Sequence, residues 1–242
     1  MSVAGDMVFL HGWGTHPVIW EPLLEHFPYA RALPLPGYAG SEPAAGLEQM
    51  AEKIAAQLED GTMLVGWSLG GQVAARIALD YPDKLARLVL IGATPCFVNR
   101  DDWPHGVPGE VFDRFARSLA EDYADTIRRF LALQAQGSDD VRDVLSALRK
   151  RLLGQAMPPE GVLEAGLGIL QNADLRWDMP LINVPTTLVH GMGDKLAPVT
   201  AARWLADTIA GAKLHEIQGA GHAPFLSHTQ RVADIIAGNM HG

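Results

Sequence analysis

At 242 residues, 48% hydrophobic and 19% charged, the chain has the composition of an ordinary globular protein and can bury a substantial core, as one unit with room for an insertion. It has no tract of about 18 apolar residues able to span a bilayer, and its formal charge of −9 argues against general attraction to nucleic acid or an anionic membrane. Its single cysteine, Cys96, rules out an intramolecular disulfide and a thiolate metal cluster, and is expected to be a buried structural thiol.

The elements follow from apolar patterning. Before Met7 there is no basic residue, and the short run Met7–Leu10 leads into His11-Gly12-Trp13-Gly14 without a secretory cleavage pattern, so a cytoplasmic protein is expected. Met7–Leu10 reads as a buried parallel strand, Ala30–Leu33 as a weaker one, and Leu47–Leu58 as a helix. Met63–Val65 is the next strand, followed at once by Gly66-Trp67-Ser68-Leu69-Gly70 and a helix over Leu69–Tyr81 that Pro82 stops. Leu88–Ile91 is a fourth strand. From about Asn99 to Trp177 strand signals give way to helical spacing: first Val111, Phe112, Phe115 and Leu119, then Ile127, Phe130 and Leu131. Val141, Val144, Leu145, Leu148 and Leu152 continue it, and a further helix is predicted over Glu160–Gln171. Thr186–Val189 and, more weakly, Lys213–Ile217 return to strand patterning. This alternation predicts an α/β fold, a mostly parallel sheet with helices on both faces. Residues 1–98 and 178–242 are expected to form its core, with 99–177 as an inserted helical lid.

Gly66-Trp67-Ser68-Leu69-Gly70 is G-x-S-x-G between a strand and a helix, the setting in which a sharp turn exposes a serine nucleophile. A serine hydroxyl needs a base to take its proton, and the base needs an acid to fix its tautomer. Of nine histidines, His222 follows the last predicted strand in Gly221-His222-Ala223-Pro224-Phe225, and Asp194 follows the strand before it in His190-Gly191-Met192-Gly193-Asp194. The order serine, acid, histidine is one known arrangement of such a triad. Each residue alone has a bland alternative, a turn aspartate or a surface-loop histidine, and the conjunction at strand ends is what carries weight. An oxyanion hole needs two N–H donors, for which Leu69 and Trp13 are the candidates.

At this point the chain resembles the α/β-hydrolase superfamily over almost its full length, through His11-Gly12-Trp13, Leu35-Pro36-Gly37-Tyr38-Ala39-Gly40-Ser41, Gly66–Gly71 and Gly221-His222. Within it the chain looks like the pimelyl-[acyl-carrier protein] methyl ester esterases of biotin synthesis. Thr94-Pro95-Cys96-Phe97 with Asp102-Trp103-Pro104, Arg129-Phe130-Leu131-Ala132-Leu133-Gln134, and Ala223-Pro224-Phe225 with Ser227-His228 carry that closer likeness. Pro34 departs from the aspartate often found before Leu35-Pro36-Gly37, and with so few residues before Met7 the family's opening strand pair is expected to be shortened or absent.

The resemblance implies a serine esterase that acts on a methyl ester at the end of a carrier-bound, medium-length acyl chain, with no cofactor and no metal. It implies that Phe130, Leu131, Ala132, Leu133 and Gln134 line the acyl channel beside Trp13, Ser68, Leu69 and His222. The partner implied is the acyl carrier protein; no nucleic acid or membrane is expected, and the protein is expected to be a monomer. Relatives hold the carrier with lid arginines, for which Arg129, Arg142 and Arg149 are the candidates here, while Asp125 and Ser146 stand where further arginines would be sought. Arg142 and Arg149, seven apart, share one helix face, for which a merely solvated face is the plain alternative. Two other functions stay open: a promiscuous hydrolase of short-chain esters, lactones or carbon–carbon bonds on the same fold, and a non-catalytic ligand-binding member.

Overall fold

The computed structural model describes residues 6–152, 154–156 and 158–240. Its strands are β1 (Met7–Leu10), β2 (Arg31–Leu33), β3 (Thr62–Trp67), β4 (Leu85–Ile91), β5 (Thr186–Gly191) and β6 (Lys213–Ile217). They form one sheet in the order β2-β1-β3-β4-β5-β6, with every neighbouring pair parallel. β1, β3 and β5 are buried along their whole length, as the continuous apolar runs predict. β2 and β6 are only partly buried because each lies at a sheet edge, which is why their apolar signal is weak. Among the described residues no strand precedes Met7.

The helices in chain order are α1 (Glu21–Leu24), α2 (Leu47–Ala55), α3 (Leu69–Asp80), α4 (Gly109–Glu121), α5 (Tyr123–Ala135) and α6 (Val141–Leu152). They continue with α7 (Glu160–Asn172), α8 (Val199–Thr208), α9 (Pro224–Ser227) and α10 (Thr229–Gly238). Successive strand side chains point to opposite sides of the sheet and so separate two cores. Val8, Leu10, Leu64, Leu88 and Leu188 pack with α2, α3 and α8; Met7, Phe9, Val65, Val89 and Val189 pack with α1, α9 and α10. Helices α4 to α7 lie in the connection between β4 and β5. They do not form a separate layer, since Leu163 of α7 belongs to the first core and Val144 and Leu148 of α6 to the second. Among the described residues no helix is long and apolar enough to cross a membrane.

Register places the functional loops. Leu10 pairs with Gly66, so the chain leaves β1 and β3 side by side, and Gly191 pairs with Ile217, which does the same for β5 and β6. From β1 the chain crosses to β2 on one side and later to β3 on the other, so the strand order reverses between β1 and β3. In open parallel sheets the crevice at the carboxyl ends beside such a reversal is where ligands bind.

Candidate active site

Ser68 leaves β3 with φ 57° and ψ −119°, and Ala39 is the one other non-glycine at positive φ among the described residues. Such a backbone costs about 1–3 kcal/mol and persists only when its surroundings enforce it. The glycines explain how: a Cβ on Gly66 would lie 2.7 Å from the Gly70 carbonyl carbon, and one on Gly70 would lie 2.5 Å from the Leu10 and His11 oxygens. The strand–turn–helix can therefore close only with glycine at both places.

The loops after β5 and β6 bring Asp194 and His222 together. His222 Nδ1–H donates to Asp194 Oδ2 at 2.7 Å, and the other oxygen, Oδ1, accepts from Leu196 N–H (2.8 Å) and Ala197 N–H (2.9 Å). His190 Nε2 donates to Ala197 O (2.7 Å) and lies 3.4 Å from Asp194 Oδ2. Burial alone would push the Asp194 carboxyl up, but attraction to His222 and the hydrogen bonds from His190 and His222 outweigh it. The group is held well below the usual carboxylate range. On its far side His222 Nε2 is buried and has no hydrogen-bond partner among the described residues, so the expected bond to Ser68 Oγ is not made. The ring's place is set from behind, by Asp194 and by Trp67 Nε1–H donating to His222 O (2.8 Å). Bonds of this kind are commonly long until a reacting group is seated.

Trp13 lies in the loop after β1 and Leu69 is the first residue of α3 beyond β3, and among the described residues neither backbone N–H has a protein acceptor. The Trp13 side chain is fully buried, with Nε1–H donating to Leu163 O (2.8 Å) and its ring edge-on to Phe130 and Phe115. Two residues not assigned a role from the sequence brace this loop. Tyr38 Oη accepts from Gly14 N–H at 3.0 Å. His11 donates from Nδ1 to Gly12 O (2.8 Å) and accepts at Nε2 from Leu35 N–H (3.1 Å), which fixes the neutral tautomer. The motif Leu35–Ser41, legible as a family landmark, thus buttresses the neighbouring loop.

Burial pushes the His11 imidazole down to about 3, against a partial upward effect of the Gly12 carbonyl. Because the unfolded chain binds a proton here near pH 6.5 and the folded one does not, the stabilisation is complete above pH 6.5 and is lost as pH falls from there towards 3. At pH 5 this amounts to about 2 kcal/mol. Denaturant unfolding at pH 7 and pH 5 should show that loss, and the His11→Gln protein, which cannot titrate at this position, should lose correspondingly less over the same interval.

Ser68 and His222 both face a cavity that is otherwise apolar, lined by Phe97, Val107, Val111, Phe112, Phe115, Phe130, Leu133, Leu167, Leu170 and Leu196. Of the predicted channel segment, Phe130 and Leu133 lie on this wall. Leu131 packs instead into the first core, Ala132 is half-buried, and Gln134 is buried with Oε1 unpartnered among the described residues. A helix turns 100° per residue, so five consecutive positions cannot share one wall. Val111, Phe112 and Phe115 of α4 and Leu167 and Leu170 of α7 supply half of the apolar wall, and their helical spacing looked like ordinary packing stripes.

The two ends of the inserted helical segment are tied where the sequence resemblance lies. Trp103 Nε1–H donates to Cys96 O (2.9 Å), Arg176 pairs with Asp102 (2.8 Å) and Asp174 (2.7 Å), and its guanidinium sits 5.5 Å from the Trp103 ring centre. Cys96 is buried, its thiol pushed up by burial, and donates from Sγ to Val98 O. Of the docking candidates, exposed Arg129 pairs with Asp125 at 2.6 Å. Exposed Arg142 and Arg149 line one shallow groove on α6 with Leu145, Ser146 and Lys150.

With this geometry in place, the chain matches the family model for the alpha/beta hydrolase fold over residues 7–229. It is 42% identical over 231 residues to the pimeloyl-[acyl-carrier protein] methyl ester esterase of Nitrosomonas europaea, covering 93% of this chain and 92% of that one. It is 40% identical over 247 residues to the enzyme of the same name from Aromatoleum aromaticum, covering 98% of each. Among solved structures, an esterase from Exiguobacterium antarcticum superimposes with a TM-score of 0.86 at 22% identity, over 98% of this chain and 92% of that one, a likeness of fold.

Proposed function

The chain belongs to the α/β-hydrolase family, and from that premise we propose that it is a serine esterase that hydrolyses the methyl ester of a carrier-bound medium-chain acyl group to the carboxylate and methanol, in biotin synthesis. The observation that carries this is the placement of Ser68 and His222 together on an otherwise apolar cavity, in a chain whose curated relatives are named for that ester. A hydrocarbon chain loses nothing by entering such a cavity, whereas a charged terminus would lose its hydration unpaired. The neutral methyl ester is therefore the form that fits, and the product carboxylate the form that leaves.

In this reading Ser68 Oγ attacks the ester carbonyl while His222 Nε2 takes its proton. The tautomer is right for it, because the Asp194 bond keeps the ring proton on Nδ1. The Trp13 and Leu69 N–H groups stabilise the tetrahedral oxyanion, and His222 returns the proton to the departing methoxide to give methanol. Water, deprotonated by the same nitrogen, then attacks the acyl-enzyme, and its collapse frees the carboxylate and restores Ser68. Residues 99–177 serve as the lid, with Phe130 and Leu133 supplying part of the acyl wall.

The acidic acyl carrier protein is assigned to the lid's basic positions. Arg142 and Arg149, joined by Lys150 in one groove, are the stronger part of that surface, since the Arg129 charge is already engaged by Asp125. Changing Arg142 and Arg149 together to glutamate should raise KM for the carrier-bound ester at least about tenfold at low salt and leave a small free ester unchanged. Equal effects on both substrates would remove the docking assignment.

A further inference from the structure

Asp194 and His222 are each preceded by glycines, and three of these touch a single turn that the reaction above leaves unused. The turn, Gln136–Asp139, joins α5 to α6. Ser138 is buried, and its Oγ accepts a hydrogen bond from the N–H of Gly221, the residue before His222, at 2.9 Å. Asp139 N–H donates to Gly219 O at 2.8 Å. Gly137, at φ 83°, lies against Gly193, the residue before Asp194, so closely that a Cβ on either glycine would collide with the backbone carbonyl of the other. The two loops are also tied to each other, by Gly193 N–H donating to Ala220 O at 2.9 Å.

From this arrangement we propose that Ser138 is a positioning residue for the reaction: by holding Gly221 it sets where His222 Nε2 points, while Gly137 against Gly193 keeps Asp194 in register with it. The assignment rests on the reading of Ser68, Asp194 and His222 as the triad. Its physical basis is that the base has no other constraint on its Ser68 side. His222 is held through Nδ1 by Asp194 and through its carbonyl by Trp67, and the Ser138 hydroxyl fixes the backbone of the residue just before it. Without the Ser138 hydroxyl, Gly221 N–H is a buried donor with no acceptor, and the loop shifts to find one. A misplacement of about 1 Å is enough to cost on the order of a hundredfold in rate.

Ser138→Thr and Ser138→Val have the same shape and differ in the hydroxyl, and Ser138→Ala tests the same loss without the added methyl groups. Assayed in the full chain with p-nitrophenyl acetate, which needs no carrier, Ser138→Val and Ser138→Ala should lower kcat at least about tenfold with KM nearly unchanged, while Ser138→Thr retains activity. The low-field proton resonance of His222 Nδ1–H should shift in the alanine and valine proteins and stay in place in the threonine one. A wild-type kcat and an unmoved resonance in Ser138→Ala would overturn the positioning role while leaving the triad standing. Hydrolysis by Ser68→Ala would overturn the triad instead, and this role with it.

Discussion

Replacing Ser68 by alanine is expected to lower ester turnover on the order of 10⁶-fold, the scale of loss when a serine nucleophile is removed, with thermal stability unchanged. The β-carbon remains, so the elbow keeps its fit, and the strained φ of 57° is shared by any residue other than glycine. The substitution removes the atom that bonds to the acyl group and nothing that packs. A fluorophosphonate probe gives an independent check: it should label the wild-type protein at Ser68 and leave the alanine protein unlabelled. Labelling also separates an enzyme from a ligand-binding relative of the same fold. Retained hydrolysis, or labelling elsewhere, would sink the assignment.

Asp194→Asn should cost about 10⁴ in turnover with the fold intact. The size follows from which atoms surround the carboxylate. Oδ1 accepts from the Leu196 and Ala197 N–H groups, so an asparagine must put its carbonyl oxygen there and its NH2 toward His222. That NH2 can only donate, which forces His222 Nδ1 to accept and moves the ring proton to Nε2, where it blocks removal of the Ser68 proton. The reverse orientation would set two N–H donors against the amide. A fall of less than about tenfold in kcat would point to another acid.

The convergence of Ser68, Asp194 and His222 on one sheet edge was more legible than the cavity wall. Ser68, Asp194 and His222 each follow a strand, and because these strands are parallel, all three emerge at the carboxyl edge of one sheet. Edge strands β2 and β6 gave weaker signals because most of their residues are only partly buried. Family landmarks named Leu35–Ser41 without revealing that Tyr38 Oη receives the Gly14 N–H, since that contact joins residues 24 apart across two loops. The cavity wall was read mainly from α5, yet α4 and α7 supply half of its apolar residues: helical periodicity says which residues share a face but not what the face meets. Phe112, Phe115, Leu167 and Leu170 satisfy the same spacing whether they cover another helix or a substrate chain. Ser138 carried no signal at all, because its role lies in a hydrogen bond to a residue 83 positions away.

The proposed activity is hydrolysis of a methyl ester at the end of an acyl chain while the chain is attached to its carrier protein. A direct measurement offers carrier-bound and free methyl esters of several chain lengths in one mixture and follows each by mass spectrometry. Carrier-bound medium-chain esters should be converted to their carboxylates first, with release of methanol and an intact carrier linkage. Consumption of the free short esters with the carrier-bound esters left untouched would contradict it.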